Sequence, residues 1–598
     1  MRRRFAQWEA GEYDLLIRDW RRDVDHCRGL ERKPRDDART VAYAVRLIED
    51  GAVSKAMRIL ESQGIGDISD PAVCAQMQAK HPQQRADWDH DLTGFPRVQL
   101  QNVGKALTTL RRHAGTGVDR FPFEFLFRIK RGVMPEEVRE AALDSMSTLG
   151  NHILNCDLPG WFYVLWTTPL LFAPWKEKVT RDARPVACGN ARRRFLGRWH
   201  GINHVAEIKR DAEPVQLGSA TPAGVQAMGI GLNIHFQTFR RLQVMLKFDF
   251  ENSFNKVERR DIMVAARTRE ELAFCVRYWE AESRPRSPVF YHDADGHLQP
   301  CPFDSVQGTQ QGSEYGAKGH NAAYQAVFDA VNMFLQPHGG ILRADCDDTV
   351  IIAPPEMLAP AMEQLSVGAA LRGGRLQPAK SKAYATPEVR AEMERRGLRL
   401  PAGVVWGTNR DEDGAEAFGL VVAGTPIGEP QFVLNHVSET VQKVLASTTT
   451  VTDKLLSAKA NDHALHCMRL SLRNRVNFLQ QVVPPTVEVM EVYRRLDNAL
   501  DDATARILGI DLLRLEGTAE AVGLTDPASV AARGRLPARL RGACMRSMFD
   551  VTPAAFVGAM NQVIPRLPSR FDPDGGHIVG LMAHLEPVVG TGAGFQRH

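Results

Sequence analysis

The nine cysteines of this 598-residue chain form no Cys-x-x-Cys and no Cys/His cluster at ligand spacing, which excludes a zinc knuckle and a disulfide framework and implies a reducing compartment. Long apolar runs are missing too. The nearest approach, Leu158 to Trp175, is broken by Pro159, Pro169 and Pro174, and reads as buried strands over 161–173 rather than a membrane span. Excess charge of either sign is small: 75 basic against 71 acidic residues leave a net charge of +4, so any basic surface must be local. The first residues, Met-Arg-Arg-Arg, lead into no apolar segment, and Glu9, Glu12 and Asp14 come too soon for a transit peptide. The glycine-punctuated stretch Pro222 to Gly231 fits neither a dinucleotide-binding fingerprint nor a P-loop, and is predicted as a loop. A soluble intracellular protein, with no membrane partner, is the expectation.

The length calls for several lobes, and an apolar content of 44% suffices to pack them. Residues 1–95 read as helical, with two amphipathic helices joined at Asp50-Gly51 and stopped at Gly64-Ile65-Gly66-Asp67. Farther on, helices are predicted over 258–282, 322–334 and 356–371. Beyond residue 433 the apolar residues Val437, Val441, Val444, Leu465, Met468, Leu472 and Leu479 keep helical period, with Arg469, Arg473 and Arg475 largely off that stripe. A basic stretch holds Lys176, Lys178, Arg181, Arg184, Arg192, Arg193, Arg194 and Arg198; phosphate contacts and a solvated face explain it equally well.

The most informative stretch is Ile341 to Ala353, two β-prone runs folded back through an acidic tip that presents Asp347 and Asp348. Adjacent carboxylates repel and raise each other's pKa, an arrangement a divalent cation relieves. Mg²⁺, a hard ion that takes one or two carboxylates plus substrate phosphates, suits such a tip. Upstream, the apolar run Val244 to Phe248 ends in Asp249. Set beside the hairpin, Asp249 and Asp347 would converge on one spot and could hold two ions about 3.5–4 Å apart.

These motifs and four others, in order, resemble the reverse transcriptases of non-LTR retrotransposons. Arg184-Pro185-Val186 is similar to the fingers motif that opens with Arg-Pro, and Phe248 to Arg259 to the first palm motif. Gln311-Gly312-Ser313-Glu314-Tyr315-Gly316 is similar to Gln-Gly-Asp-Pro-Leu-Gly, and Asp345 to Asp348 takes the place of Tyr-Ala-Asp-Asp. Leu376 to Lys380 resembles Leu-Asn-Pro-x-Lys, and Gly424 to Gly428 resembles Gly-x-Pro-Ile-Gly. Asp345, Cys346 and the Ser313-Glu314-Tyr315 run depart from the pattern.

The resemblance implies an α+β right-hand polymerase. Its parts would be an N-terminal helical module (1–95), fingers (96–235), a palm (236–432), a helical thumb (433–510) and a post-thumb region (511–598). It implies an RNA-directed DNA polymerase using Mg²⁺ or Mn²⁺. Asp249, Asp347 and Asp348 would be catalytic and metal-binding, and Arg184, Phe250, Phe254, Gln311, Gly312 and Lys380 nucleotide-binding. An RNA template, a DNA or RNA primer and dNTPs are the implied partners. DNA cutting, where the element needs it, would come from a separate endonuclease or a pre-existing nick, since no nuclease or RNase H acid set is visible. Two other readings compete: a catalytically silent relative that binds RNA or protein with the same lobes, and an RNA-dependent RNA polymerase.

Overall fold

In the computed structural model, residues 37–101, 103–130, 135–177, 179–239, 243–310, 312–411, 413–509, 545–567 and 571 are described, with a few single positions before residue 20. Among them, helices and three sheets combine in an α+β arrangement. No helix among them is long and apolar enough to cross a membrane.

Helix α1 (Asp37–Glu49) buries Val41, Ala44, Leu47 and Ile48, and α2 (Val53–Leu60) buries Val53, Ala56, Met57 and Leu60, the 3–4 residue spacing that makes one apolar face. Gly51, at φ +78°, closes the turn between them. This pair does not stand alone. Its apolar face joins the core of the C-terminal helices, where Arg475 Nη2 donates to Glu61 Oε2 at 2.6 Å and Lys454 Nζ to the Leu60 carbonyl at 2.6 Å. The chain then crosses to another lobe: β1 (Ile65–Gly66) pairs antiparallel with β2 (Leu170–Glu177), and α3 (Pro71–Ala79) follows, capped by Asp70 accepting from Ala72 N–H.

The apolar stretch after Leu158 corrects the expectation of strands. It begins as a helix, α4 (Gly160–Thr167), and only then becomes β2 (Leu170–Glu177). Pro159 caps the helix and Pro169 follows its end, while Tyr163 and Trp166, three apart, turn inward together. β3 (Asp182–Ala183) and β4 (Val186–Cys188) pair with β2; α5 (Ala191–Asn203) follows. The predicted loop at Pro222–Gly231 is also corrected, because most of it lies in α6 (Gly224–Phe239). Its glycines serve close packing: a Cβ on Gly231 would lie 2.4 Å from the Phe571 ring.

The central sheet runs β11-β10-β5-β9-β8: β5 (Val244–Phe248), β8 (Ile341–Asp345), β9 (Asp348–Ala353), β10 (Lys382–Tyr384) and β11 (Val405–Trp406), antiparallel except for the β10–β11 pair. The helix predicted over 258–282 breaks into α7 (Arg259–Thr268), a 3₁₀ turn at Glu270–Cys275 and a further helix at Val276–Ser283. Strands β6 (Ser287–His292) and β7 (Leu298–Ser305) extend the β2 sheet. Helices α8 (Gly316–Leu335) and α9 (Pro355–Leu371), together with α7, cover one face of the central sheet, burying Leu246, Leu342, Ile351 and Ala383.

The other face of the sheet is covered as well. Met245, Ile341, Ile352 and Tyr384 are buried in the core shared with α6 and the C-terminal helices, and the Tyr384 ring lies 5.2 Å from that of Phe236. The acidic tip therefore sits at the end of a doubly covered sheet. Its turn holds Cys346 at φ +57°, a strain of about 1–2 kcal/mol. Fully buried Leu246, Leu342 and Ile351 on the flanking strands outweigh it at about 1.5–3 kcal/mol each.

A small sheet of β12 (Thr408–Arg410), β13 (Glu416–Val422) and β14 (Thr425–Gly428) leads to α10 (Pro430–Ser457), α11 (Asn461–Leu470), α12 (Val487–Leu508) and α13 (Met548–Val563). Two of the arginines that fall off the apolar stripe are engaged by acids. Arg473 is fully buried against Asp497 and Asp501, and Arg475 bonds Glu61 and Ser447.

Candidate active site

A cavity of about 860 Å³ opens where the β2 sheet, the end of the central sheet and the loop at 307–316 meet. Seven of the nine predicted site residues line it: Arg184, Asp249, Phe250, Phe254, Gly312, Asp347 and Lys380. Asp348 does not, and Gln311 lies outside the described residues.

Asp249 follows β5 directly. Its backbone is fixed by Gln377 N–H donating to the Asp249 carbonyl at 2.8 Å, which ties the first palm-like motif to the Lys380 segment. Asn252 then turns the chain in the left-handed region, φ +48°, into the single helical turn Ser253–Lys256. That turn carries half-buried Phe254, whose ring lies 4.7 Å from His320. Ser253 Oγ and His320 Nε2 are 2.5 Å apart, and burial pushes the imidazole down to about 4, so it is neutral at physiological pH.

The 307–316 loop is held from three sides. Thr309 N–H donates to the Phe254 carbonyl at 2.7 Å, Arg259 Nε to the Gly308 carbonyl at 3.0 Å, and Arg193 Nη1 to Gln310 Oε1 at 2.7 Å. Arg193 is itself buried and paired with buried Glu282 through Nε and Nη2. Sequence reasoning left Arg193 between a phosphate contact and a solvated face; it is neither. Gly312 sits at φ +105°, and a Cβ there would lie 2.9 Å from the Ala187 carbonyl.

Asp347 stands exposed at the hairpin tip, facing the cavity. The surrounding protein pushes its carboxyl above the usual range; its own backbone N–H opposes this, and repulsion from Asp348, Asp249 and Asp345 adds to it. Asp345 is likewise raised, by burial first and then by Asp348. Asp348 turns to the neighbouring strand, where its Oδ1 lies 2.7 Å from Lys247 Nζ. The oxygen donors of Asp249 and Asp347 suit a hard divalent cation, whose charge would reverse the repulsion recorded at Asp347.

The cations of the cavity divide into two sets. Lys80 is paired with Asp182 at 2.8 Å and Lys256 with Glu251 at 2.8 Å. Lys176, Arg184 and Lys380 line the same space with no ion pair among the described residues. Sequence reasoning did not anticipate Lys80, Asp182 or Gln76 here, since nothing local marks them. Nor did it anticipate Asp293, Asp295 and His297, at the β6–β7 turn, whose ligand atoms lie within 4.8 Å of one another, the single such group of three among the described residues. Asp295 and His297 are exposed, and Asp293 accepts from His297 N–H and Gln299 Nε2, which the turn itself accounts for.

Compared with known proteins, the chain is matched by no family model, and no curated protein matches it.

Proposed function

We propose that the chain is a template-directed DNA polymerase of the reverse-transcriptase kind, adding deoxynucleotides to a primer on an RNA template, with the central sheet as palm, the β2 sheet as fingers and the C-terminal helices as thumb. The observation that carries this reading is convergence. Residues from five separated stretches, Arg184, Asp249 to Phe254, Gly312, Asp347 and Lys380, line one cavity, where the carboxylates of Asp249 and Asp347 stand beside three cations that have no ion-pair partner among the described residues.

A nucleoside triphosphate needs that combination. Asp249 and Asp347 would hold Mg²⁺ or Mn²⁺, which when bound supplies Lewis-acid charge at the transferring phosphate. Arg184, Lys176 and Lys380 neutralise the polyphosphate by charge-assisted hydrogen bonds. Phe254 stands where the sugar would lie and excludes a 2′-hydroxyl by bulk. Gly312, by admitting no side chain, lets the loop approach the nucleotide closely. Nucleotidyl transfer asks little else of a protein than such alignment and charge.

The test is primer extension by purified protein on RNA and DNA templates, with Mg²⁺ and with Mn²⁺. Extension that disappears in Asp249→Asn and Asp347→Asn is the expected result. Retention of RNA without extension under either metal would instead establish a silent binding protein.

A further inference from the structure

The wall of the cavity opposite the acidic hairpin is built by a segment far upstream. Helix α3 and the residue after it bring Gln76, Ala79 and Lys80 to the cavity. Gln76 accepts from Ala183 N–H at 2.8 Å and donates to the Arg181 carbonyl at 3.2 Å, so α3 holds β3 by its free backbone groups. Lys80 Nζ donates to Asp182 Oδ1 at 2.8 Å and to the Ala183 carbonyl at 2.5 Å. An ammonium has three donors. The remaining one has no partner among the described residues.

The main chain of Lys80 is engaged as well. Its carbonyl accepts from Asn252 Nδ2 at 2.9 Å and from Asn255 Nδ2 at 2.8 Å, one just before the helical turn that carries Phe254 and one within it. Lys80 is thus fixed at its backbone to the turn after Asp249, and at its ammonium to the strand that leads into Arg184. Asp182 and Arg184, two apart on an extended segment, both face the cavity. The Asp182 carboxyl is held below the usual range by Lys80 first, with Lys176 and Lys380 contributing, so the carboxylate stands among the very cations a polyphosphate would use.

From this juxtaposition we infer that Lys80 is a polyphosphate-binding residue of the site, and that Asp182 is its intramolecular stand-in, a carboxylate that holds the ammonium until an incoming triphosphate replaces it. The inference rests on the nucleotide-transfer reading above. Entry of a triphosphate exchanges the Lys80–Asp182 contact for Lys80–phosphate. Asp182, 44% exposed at its side chain, is free to turn to water. Asp182 therefore opposes nucleotide binding, and Lys80 favours it.

The two substitutions accordingly act in opposite directions. In primer extension on a primed RNA template with Mg²⁺, Lys80→Met is expected to raise the KM for dNTP about tenfold, the value of one charge-assisted hydrogen bond, with little change in kcat. Asp182→Asn is expected to lower that KM, by about threefold given the half-exposed pair. Lys80→Arg should restore most of the loss. Primer–template affinity is measured on each variant: a variant that has lost it has lost its fold, and Asp182→Asn with Lys80→Arg then carry the test.

If the ion pair were only a strut, both neutral variants would raise KM or lower kcat together, and that result overturns the inference. So does a KM unchanged in Lys80→Met. A wild-type protein that extends no primer with either metal overturns the nucleotide-transfer reading itself, and the inference falls with it.

Discussion

Lys247 and Asp348 form an ion pair across neighbouring strands, Nζ to Oδ1 at 2.7 Å, and Lys247 also donates to the Val421 carbonyl at 3.1 Å. The two acids at the hairpin tip therefore have separate duties: Asp348 is neutralised within the sheet, while Asp347 keeps its charge toward the cavity. Substitution should separate them. Asp249→Asn and Asp347→Asn are expected to reduce extension about 10³-fold or more, and Asp348→Asn only about 10–100-fold, as for a group supporting a ligand rather than serving as one. Equal losses at Asp347 and Asp348 in steady-state kinetics would show that the division does not hold. Chelation of divalent cations should abolish activity in all three.

The enclosure of the Asp347 carboxyl by the surrounding protein, to which the neighbouring acids add, carries a cost that is visible without activity. Because the folded protein holds the Asp347 carboxyl above its ordinary range, the charged form is disfavoured on folding. Stability of the metal-free protein then falls as pH rises from the ordinary Asp value through the raised one. Asp347→Asn should melt higher than wild type in EDTA at neutral pH, and the difference should vanish below about pH 4. Thermal melts at two pH values check this, and saturating Mg²⁺ should reverse the order of the two proteins.

Gly312→Ala places a Cβ against the Ala187 carbonyl in a backbone conformation that alanine resists. Extension should fall by about tenfold or more, with a stability loss of about 1 kcal/mol or more.

Replacing Phe254 by Val should raise ribonucleotide incorporation relative to deoxynucleotide incorporation while sparing much of the latter. Competition between the two triphosphates on one template reads the ratio directly; an unchanged ratio removes Phe254 from sugar selection. Because the His320 ring packs against that of Phe254, tilted at 4.7 Å, His320→Ala should move the same ratio in the same direction, to a smaller extent.

What the sequence made legible was local. Strands β8 and β9 are apolar runs around an acidic tip, and α1 and α2 show one apolar face each, so both hairpins could be placed from residue pattern alone. The glycines of α6 misled because a glycine that admits a neighbour looks the same in sequence as one that makes a turn; Phe571 and Thr425, the neighbours admitted, are distant in the chain. Arginines misled for a related reason. Arg193 and Arg473 read as surface charge until Glu282, Asp497 and Asp501 are brought beside them by the fold. Lys80 was invisible because its partner Asp182 lies 102 residues away.

The attachment of Glu61 to Arg475 spans 414 residues. Synthesis makes α1 and α2 well before α10 and α11, against which their apolar residues Leu47, Met57 and Leu60 pack in the finished core. This early pair is completed only by partners distant in the chain. Residues 65–81, by contrast, find β2 and β3 within about a hundred residues of chain. The short link between Leu60 and Ile65 joins a segment that pairs within about a hundred residues to one whose ion-pair partner lies 414 residues on.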